Sequence, residues 1–380
     1  MIYFDNSATT KPCVEVIQAI GNNLASDGLF GNPGSLHKLG TAADKAYRQT
    51  FERAASCLGC NKDELYFTSC GTEGSNTAIR GFAHKNKRIG NTIISTKTEH
   101  KATLEVLKHL ESEGYRIKYV PVDLAGKPDL KALEDMIDDE TMLLCFTHVN
   151  NETGAILPIE EIVKIKNSKK REAAIFLDCV QSLGKLDIKL KNLGVDMATF
   201  SGHKIHSVKG VGLLYVRKDL RIEPLILGGG QQNNMRSGTQ SLVLAEAMVT
   251  ALEIAERSRA EAFDRIKSVN SYLRAELAKR GAKVLSPDDA IPFVLNVSFD
   301  GFESETMLHC LEIYDIYVST VSACSSKSKQ VSYVLLEMGV DRKIAANSVR
   351  LSFSRENTME EAEEFIRKID EIYDLYLVKR

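Results

Sequence analysis

The sequence predicts an α/β protein: a mainly parallel sheet flanked by helices, with a smaller α+β domain after it. Three observations carry that prediction. Between about 60 and 220, short β-branched or apolar runs alternate with longer segments of helical period; polar clusters follow many of the short runs; and beyond about 240 the pattern changes.

The strand candidates are, in order, "ELYFTS", "NTIIST", "RIKYVPV", "MLLCFTHV", "AAIFLD", "MATFS" and "VGLLYV". Thr72 and Glu73 follow the first, His100 the second, and Asn150 with Asn151 the fourth. Asp178 and Gln181 follow the fifth, and His203 with Lys204 follows "MATFS". Groups just beyond the carboxyl ends of parallel strands converge on one crevice, so five such clusters point to a site. After "VGLLYV" a long helical run, "SLVLAEAMVTALEIAERSRAEAFDRIKSVNSYLRAELAKR", leads to strands "FVLNVSF", "IYVST" and "VRLSFS". These alternate with helices around "SETMLHCLEIY" and "SYVLLEMG", and the last helix opens with a Thr358 to Glu361 capping box. No repeat or low-complexity linker interrupts the chain, which places the domain boundary along the long helix: 16–250 large, 251–380 small.

At 380 residues the chain is long enough for a sizeable core, and 49 basic against 51 acidic residues leave a net charge of -2. That balance provides no global field for nucleic acid or an anionic membrane. The densest basic runs, "KNSKKRE" (166–172) and "HKNKR" (84–88), read as solvated loops. "MIYFDNSATTKP" has no charged segment leading into an apolar one, and no apolar run reaches membrane-span length, so a cytosolic protein is expected. Eight cysteines suit a reducing compartment. Cys57 and Cys60 form a lone CxxC without a second pair, which reads as a helix end packed on a core; no metal site is expected.

Lys204, judged alone, is a surface lysine in a turn; desolvated at a strand end, it is an amine able to form a Schiff base. Asp178 offers the carboxylate that keeps a pyridine nitrogen protonated, or else an N-cap. "TSCGTEGSNTAIRG" (68–81) supplies a strand, a turn at Gly71 and Thr72 at a helix start, the arrangement that binds phosphate. His100 can stack on a flat ring or move a proton, or serve its loop structurally. Cys324 lies in "STVSACSSKSKQVS" (319–332), a Ser-rich stretch with the composition of a mobile loop, which suits a reactive thiol better than a buried one. Arg350 is a charge in an otherwise alternating strand; its planar fork suits a substrate carboxylate, and an ion pair is the equal alternative.

Together these residues resemble the NifS/IscS-like class I cysteine desulfurases, of the aminotransferase class V group of pyridoxal-phosphate enzymes. The likeness rests on "YFDNSATT", "FGNPGSLHKLG", "TSCGTEGSN", "KTEHKA", "HVNNETG", "LDCVQSLGK", "SGHKIH", "GGGQQNNMRSGT", "SACSSKS" and "VRLSFSREN", ten motifs in order. It implies the type I pyridoxal-phosphate transferase fold, with residues 1–15 packing on the small domain. It further implies that Lys204 carries pyridoxal phosphate covalently, Asp178 pairs with the ring nitrogen and His100 stacks on the ring. Asn151 and Gln181 would lie near the ring oxygen and substrate. Gly71, Thr72, Ser201 and His203 would form the phosphate cup, completed by Thr239 from the partner of a homodimer. Arg350 would bind the carboxylate of L-cysteine. Cys324 would take the sulfur and pass it to an acceptor protein.

The implied activity is conversion of L-cysteine to L-alanine with a persulfide on Cys324, His100 being the candidate proton donor at the substrate sulfur. Departures from the family pattern fall at Cys70, at His206 to Val208, at Gln232 to Asn234 and at Ser354. The chain ends at Arg380, soon after its final helix, and leaves iron-sulfur assembly and tRNA thiolation equally open as destinations. A selenocysteine lyase or a small-amino-acid aminotransferase of the same fold is the nearest alternative. A non-catalytic docking scaffold for sulfur carriers is the alternative of another class, and the presence of Lys204, Asp178 and Cys324 speaks against it. "GGG" at 228–230 does not complete a dinucleotide-binding motif.

Overall fold

The computed structural model describes residues 1–320 and 331–376, to which every structural statement below refers. The chain opens with β1 (Ile2–Tyr3), α1 (Val14–Leu24) and α2 (Lys38–Leu58). The alternating region gives β2 (Leu65–Thr68), α3 (Gly71–Lys85), β3 (Thr92–Ser95), α4 (Lys101–Ser112), β4 (Arg116–Tyr119), α5 (Leu130–Met136) and β5 (Thr141–Thr147). It continues through α6 (Ile159–Lys169), β6 (Ala174–Asp178), α7 (Leu190–Leu193), β7 (Met197–Ser201) and β8 (Gly212–Val216).

Each expected run forms a strand, and among the described residues these seven make one sheet in the order β2-β8-β7-β6-β5-β3-β4. Only β8 runs antiparallel to its neighbours. Alternate side chains explain the uninterrupted apolar sequence of the central strands. Leu143 and Cys145 of β5 and Phe176 of β6 share a core with Phe82 and Leu107, on α3 and α4. Leu144, Phe146 and Leu177 face the other layer, with Leu58 and Met248. A parallel sheet covered on both faces has no polar side to show in its sequence.

Helix α3 lies close on the sheet because Gly74 permits it. A Cβ there would stand 2.2 Å from Thr199 Oγ1, whose hydroxyl donates to the Gly71 carbonyl at 3.1 Å. This contact sets the start of α3 beside the end of β7.

The long helix α8 (Leu242–Lys279) spans two cores: Leu242, Met248 and Leu252 pack under the large sheet, Ile266, Leu273 and Leu277 in a second cluster. Then follow β9 (Lys283–Val284), β10 (Val294–Ser298), α9 (Ser304–Glu312), β11 (Ile316–Tyr317) and β12 (Ser319–Thr320). Beyond the undescribed stretch come α10 (Tyr333–Glu337), α11 (Arg342–Ala346), β13 (Ser348–Ser352) and α12 (Met359–Tyr376). A four-stranded antiparallel sheet, β12-β13-β10-β9, forms among the described residues. The capping box at α12 is present: Glu361 accepts from the Thr358 N–H at 3.1 Å, and Thr358 Oγ1 from the Glu361 N–H at 3.3 Å.

The N-terminus belongs to this second cluster. Strand β1 pairs in parallel with β11, and Phe4 meets Phe353 edge-on at 5.0 Å between ring centroids. Some expectations need correction. The "IYVST" run divides into β11 and β12, and β13 is buried at every residue instead of alternating. The basic runs begin on the last turns of α6 and α3, with Lys166 buried. Cys57 and Cys60 pack against the large core at the end of α2, and no metal-ligating cluster exists among the described residues. No described helix is long and apolar enough to cross a membrane.

Gly74→Ala should force α3 and Thr199 apart and lower stability by about 1–3 kcal/mol, measured as a fall in the denaturant midpoint. Gly21→Ala, where a Cβ meets nothing within 4 Å inside α1, should leave that midpoint unchanged or raise it.

Candidate active site

A cavity of about 380 Å³ opens beyond the carboxyl ends of β5, β6 and β7, with β12, β13 and the start of α10 on its other side. Lys204, Asp178, His100, Asn151, Gln181, Gly71, Thr72, Ser201, His203 and Arg350 all line it. Thr239 is exposed and lies outside it. Cys324 lies outside the described residues; Thr320 and Val331 on either side of that stretch both line the cavity.

Lys204 ends a single turn, Gly202–Lys204, that follows β7 directly. Its ammonium donates to the carbonyls of Ser7 and, at 2.8 Å, Ala8. Asp178 is the last residue of β6, in register with Thr147 of β5 and Thr199 of β7. Its Oδ1 accepts from the Val180 N–H at 2.9 Å, so it caps a turn and not a helix. Burial raises this carboxyl above the usual range, opposed by His100, by that N–H and by Lys204.

His100 is the N-cap of α4, exposed to the cavity and enclosed on its other sides. Burial lowers its basicity, as do Lys204, Lys101 and Arg350, while Asp178 opposes them. Its Nδ1 accepts from the Ala102 N–H at 3.1 Å, which assigns the proton of the neutral ring to Nε2. His203 is pushed down to about 4 by burial and by Lys204, and its Nδ1 sits 3.1 Å from Thr9 Oγ1. Helix α3 starts at Gly71, and its N-cap, Cys70, makes no side-chain cap. An uncapped first turn of a 15-residue helix, beside Ser201 and His203, is a place where an anion is stabilised.

Arg350 reaches the cavity from β13, donating to Asp5 Oδ1 at 2.9 Å and to the Asn151 carbonyl at 3.1 Å. Its Nε is buried without a partner. The ion pair with Asp5 is therefore carried by a side chain that also lines the cavity.

Sequence reasoning missed three acids here. Asp5 lies inside the quoted N-terminal motif, and only its pairing with Arg350 reveals a use. Glu99 is wholly buried, accepts from Thr96 Oγ1 at 2.9 Å and is pushed well above the carboxylate range by that burial. Glu152 accepts from the Ser332 hydroxyl, at the start of α10, and burial raises it to about 7 against Ser332, Arg350 and Lys101. "KTEH" and "NNETG" placed both after strands, the one available signal. Asn150 is structural: its Oδ1 accepts from the Glu152 and Thr153 N–H groups, and its Nδ2 donates to the Thr98 carbonyl.

The aminotransferase class-V family model matches residues 2–365. A NifS/IcsS protein homolog of Lactobacillus delbrueckii subsp. bulgaricus is 40% identical over 98% of this chain and 97% of its own. The cysteine desulfurase IscS of Clostridium botulinum is 36% identical over 98% and 94%. Among solved structures, a NifS-like protein superimposes with a TM-score of 0.93 at 38% identity, covering 98% of this chain and 99% of its own. SspA in complex with cysteine gives 0.81 at 29% identity, covering 93% and 99%.

The raised carboxyl of Glu152 has a consequence for stability. Its ordinary value is 4.5 and its folded value about 7, so it favours folding while protonated and loses that contribution as pH rises toward 7. Glu152→Gln should flatten the fall in the unfolding midpoint of cofactor-free protein over that interval, by on the order of 1–3 kcal/mol. A slope unchanged by the substitution would rule Glu152 out as its source.

Proposed function

The chain belongs to the aminotransferase class-V family as one of its NifS/IscS-like cysteine desulfurases, and we propose that it takes sulfur from L-cysteine with pyridoxal phosphate, leaving L-alanine and a persulfide on Cys324. The observation that carries this reading is the meeting of Lys204, Asp178 and Arg350, from three separate parts of the chain, in one cavity.

The residues present fit the cofactor. The uncapped start of α3 suits its phosphate, and a Cβ on Gly71 would reach within 2.8 Å of Val180 Cγ2 and crowd the cradle. Among the described residues the Asp178 carboxylate accepts the Val180 N–H alone, so it keeps acceptor capacity for a ring nitrogen, whose positive charge would draw its raised carboxyl back down. Pyridoxal phosphate, when bound, supplies the electron sink that lets the Cα–H bond of cysteine break.

The chain's own groups do the rest. Lys204 Nζ would hold the cofactor and is the amine placed to take the α-proton of the substrate; the Ser7 and Ala8 carbonyls accept from it as an ammonium. Arg350, which lines the cavity, would pair with the substrate carboxylate while Asp5 and the Asn151 carbonyl fix its terminal nitrogens. His100, with its proton on Nε2, is the donor at the reacting end of the substrate. The Cys324 thiolate attacks the substrate sulfur: an S–S bond forms, the Cβ–S bond breaks, and cysteine plus thiol becomes alanine plus persulfide. Thr239, exposed and outside its own cavity, would complete the phosphate cup of a second copy in a homodimer. The persulfide then goes to an acceptor protein of iron-sulfur assembly or tRNA thiolation. The seven described cysteines are all free thiols, which suits the cytosol.

Cys324→Ser should keep the colour of the bound cofactor and lose alanine formation by at least about a hundredfold. Lys204→Ala should abolish borohydride trapping of the cofactor on the protein. Keto acid produced from cysteine without persulfide would overturn the desulfurase reading.

A further inference from the structure

A second amine lies behind the site. Lys185 is 8% exposed and buried, and among the described residues it makes no ion pair; the charges of Lys204 and Arg350, both cations, act on it, and it in turn acts on His206. Burial first, then those charges, push the amine down to about 7. A buried cation without a counter-charge is costly to keep, and such groups concentrate where function requires them.

Its hydrogen bond shows what it does. Lys185 Nζ donates to Gln181 Oε1 at 3.0 Å, with the Phe293 ring centroid 5.8 Å away. The two ends of a carboxamide have nearly the same shape, so packing alone barely distinguishes them. In its charged form Lys185 can only donate, which holds the Gln181 oxygen toward it and the nitrogen away, toward the Ser7 carbonyl, which can only accept. There one N–H of Nε2 meets the Ser7 carbonyl at 3.0 Å. The other is left for an acceptor in the cavity that Gln181 lines.

We propose that Lys185 is a positioning residue, which locks the Gln181 carboxamide so that an N–H and not a C=O meets an oxygen of bound pyridoxal phosphate. This rests on the functional reading above. With the amide reversed, two acceptor oxygens would face each other and the contact would be lost. A small cavity of about 30 Å³ beside Lys185, bordered also by His206, Ser258 and Arg355, offers space to a larger donor at this position.

The test is titration of cofactor-free protein with pyridoxal phosphate, followed by visible absorption, together with its thermal midpoint. Lys185→Met should weaken binding about tenfold, the worth of one charge-assisted hydrogen bond. Its midpoint without cofactor should stay level or rise, because an unpaired buried charge has been replaced by an apolar chain. Lys185→Arg should bind within about threefold of the parent. Gln181→Leu with Lys185→Met should be no weaker than Gln181→Leu alone, since one residue acts through the other. Parent-like binding by Lys185→Met, losses that multiply in the double variant, or a lowered midpoint without rescue by Arg would each overturn the proposal. A parent protein that takes up no pyridoxal phosphate would overturn the functional reading, and the role of Lys185 with it.

Discussion

The bonds from the Lys204 ammonium to the carbonyls of Ser7 and Ala8 tie the end of the large sheet to a segment that belongs, at its start, to the other core. Asp5 takes the guanidinium of Arg350, and the Asp5 backbone bridges to Ser352. The Asn6 side chain donates to the Ser352 carbonyl at 3.1 Å, and the Ser7 N–H to Ser352 Oγ at 2.8 Å. Ser7 then accepts from Gln181 as well as from Lys204. Four consecutive residues thus set the separation between an amine at the end of β7 and an arginine on β13. Phe4, buried against Phe353 and Phe365, anchors them. The site is a seam, and its geometry depends on this short segment.

Charge distribution follows from the same seam. The charges of Lys204 and Arg350 act on Lys185, while Asp178, Glu99 and Glu152 are carboxyls that burial pushes upward. In the bare protein, groups of both signs are drawn toward neutrality by desolvation. An anionic phosphate, a cationic ring nitrogen and a substrate carboxylate are the charges that would reverse that tendency. Lys185 belongs to this balance although it lines only the smaller void behind the site.

Much of this was legible in the sequence where local pattern governs. The strands of the large sheet show as apolar runs because both faces are covered, and Asp178 at a strand end and His100, Asn151 and Lys204 beyond strand ends show as polar residues. Asp5 and Lys185 were not legible as parts of the site, because each takes its meaning from surroundings fixed only by folding: Arg350 is 345 positions from Asp5, and the Gln181 that Lys185 holds also meets Ser7, 174 positions away. Arg350 itself was noticed as a charge in a strand, but the strand is buried on both sides, so alternation was the wrong frame for it. Glu152 carries no sequence signal beyond its place after a strand, because its surroundings come from α10, which sets the Ser332 hydroxyl on it.

On the proposed reading the sulfur goes to Cys324, and Cys70, a thiol that lines the cavity, makes its destination a real question. The direct measurement is peptide mass spectrometry of protein loaded with pyridoxal phosphate and given one equivalent of L-cysteine, with alanine quantified in the same sample. The account predicts one added sulfur atom on Cys324 for each alanine released. Alanine formed with Cys324 unmodified, or with the sulfur on Cys70 instead, would contradict it.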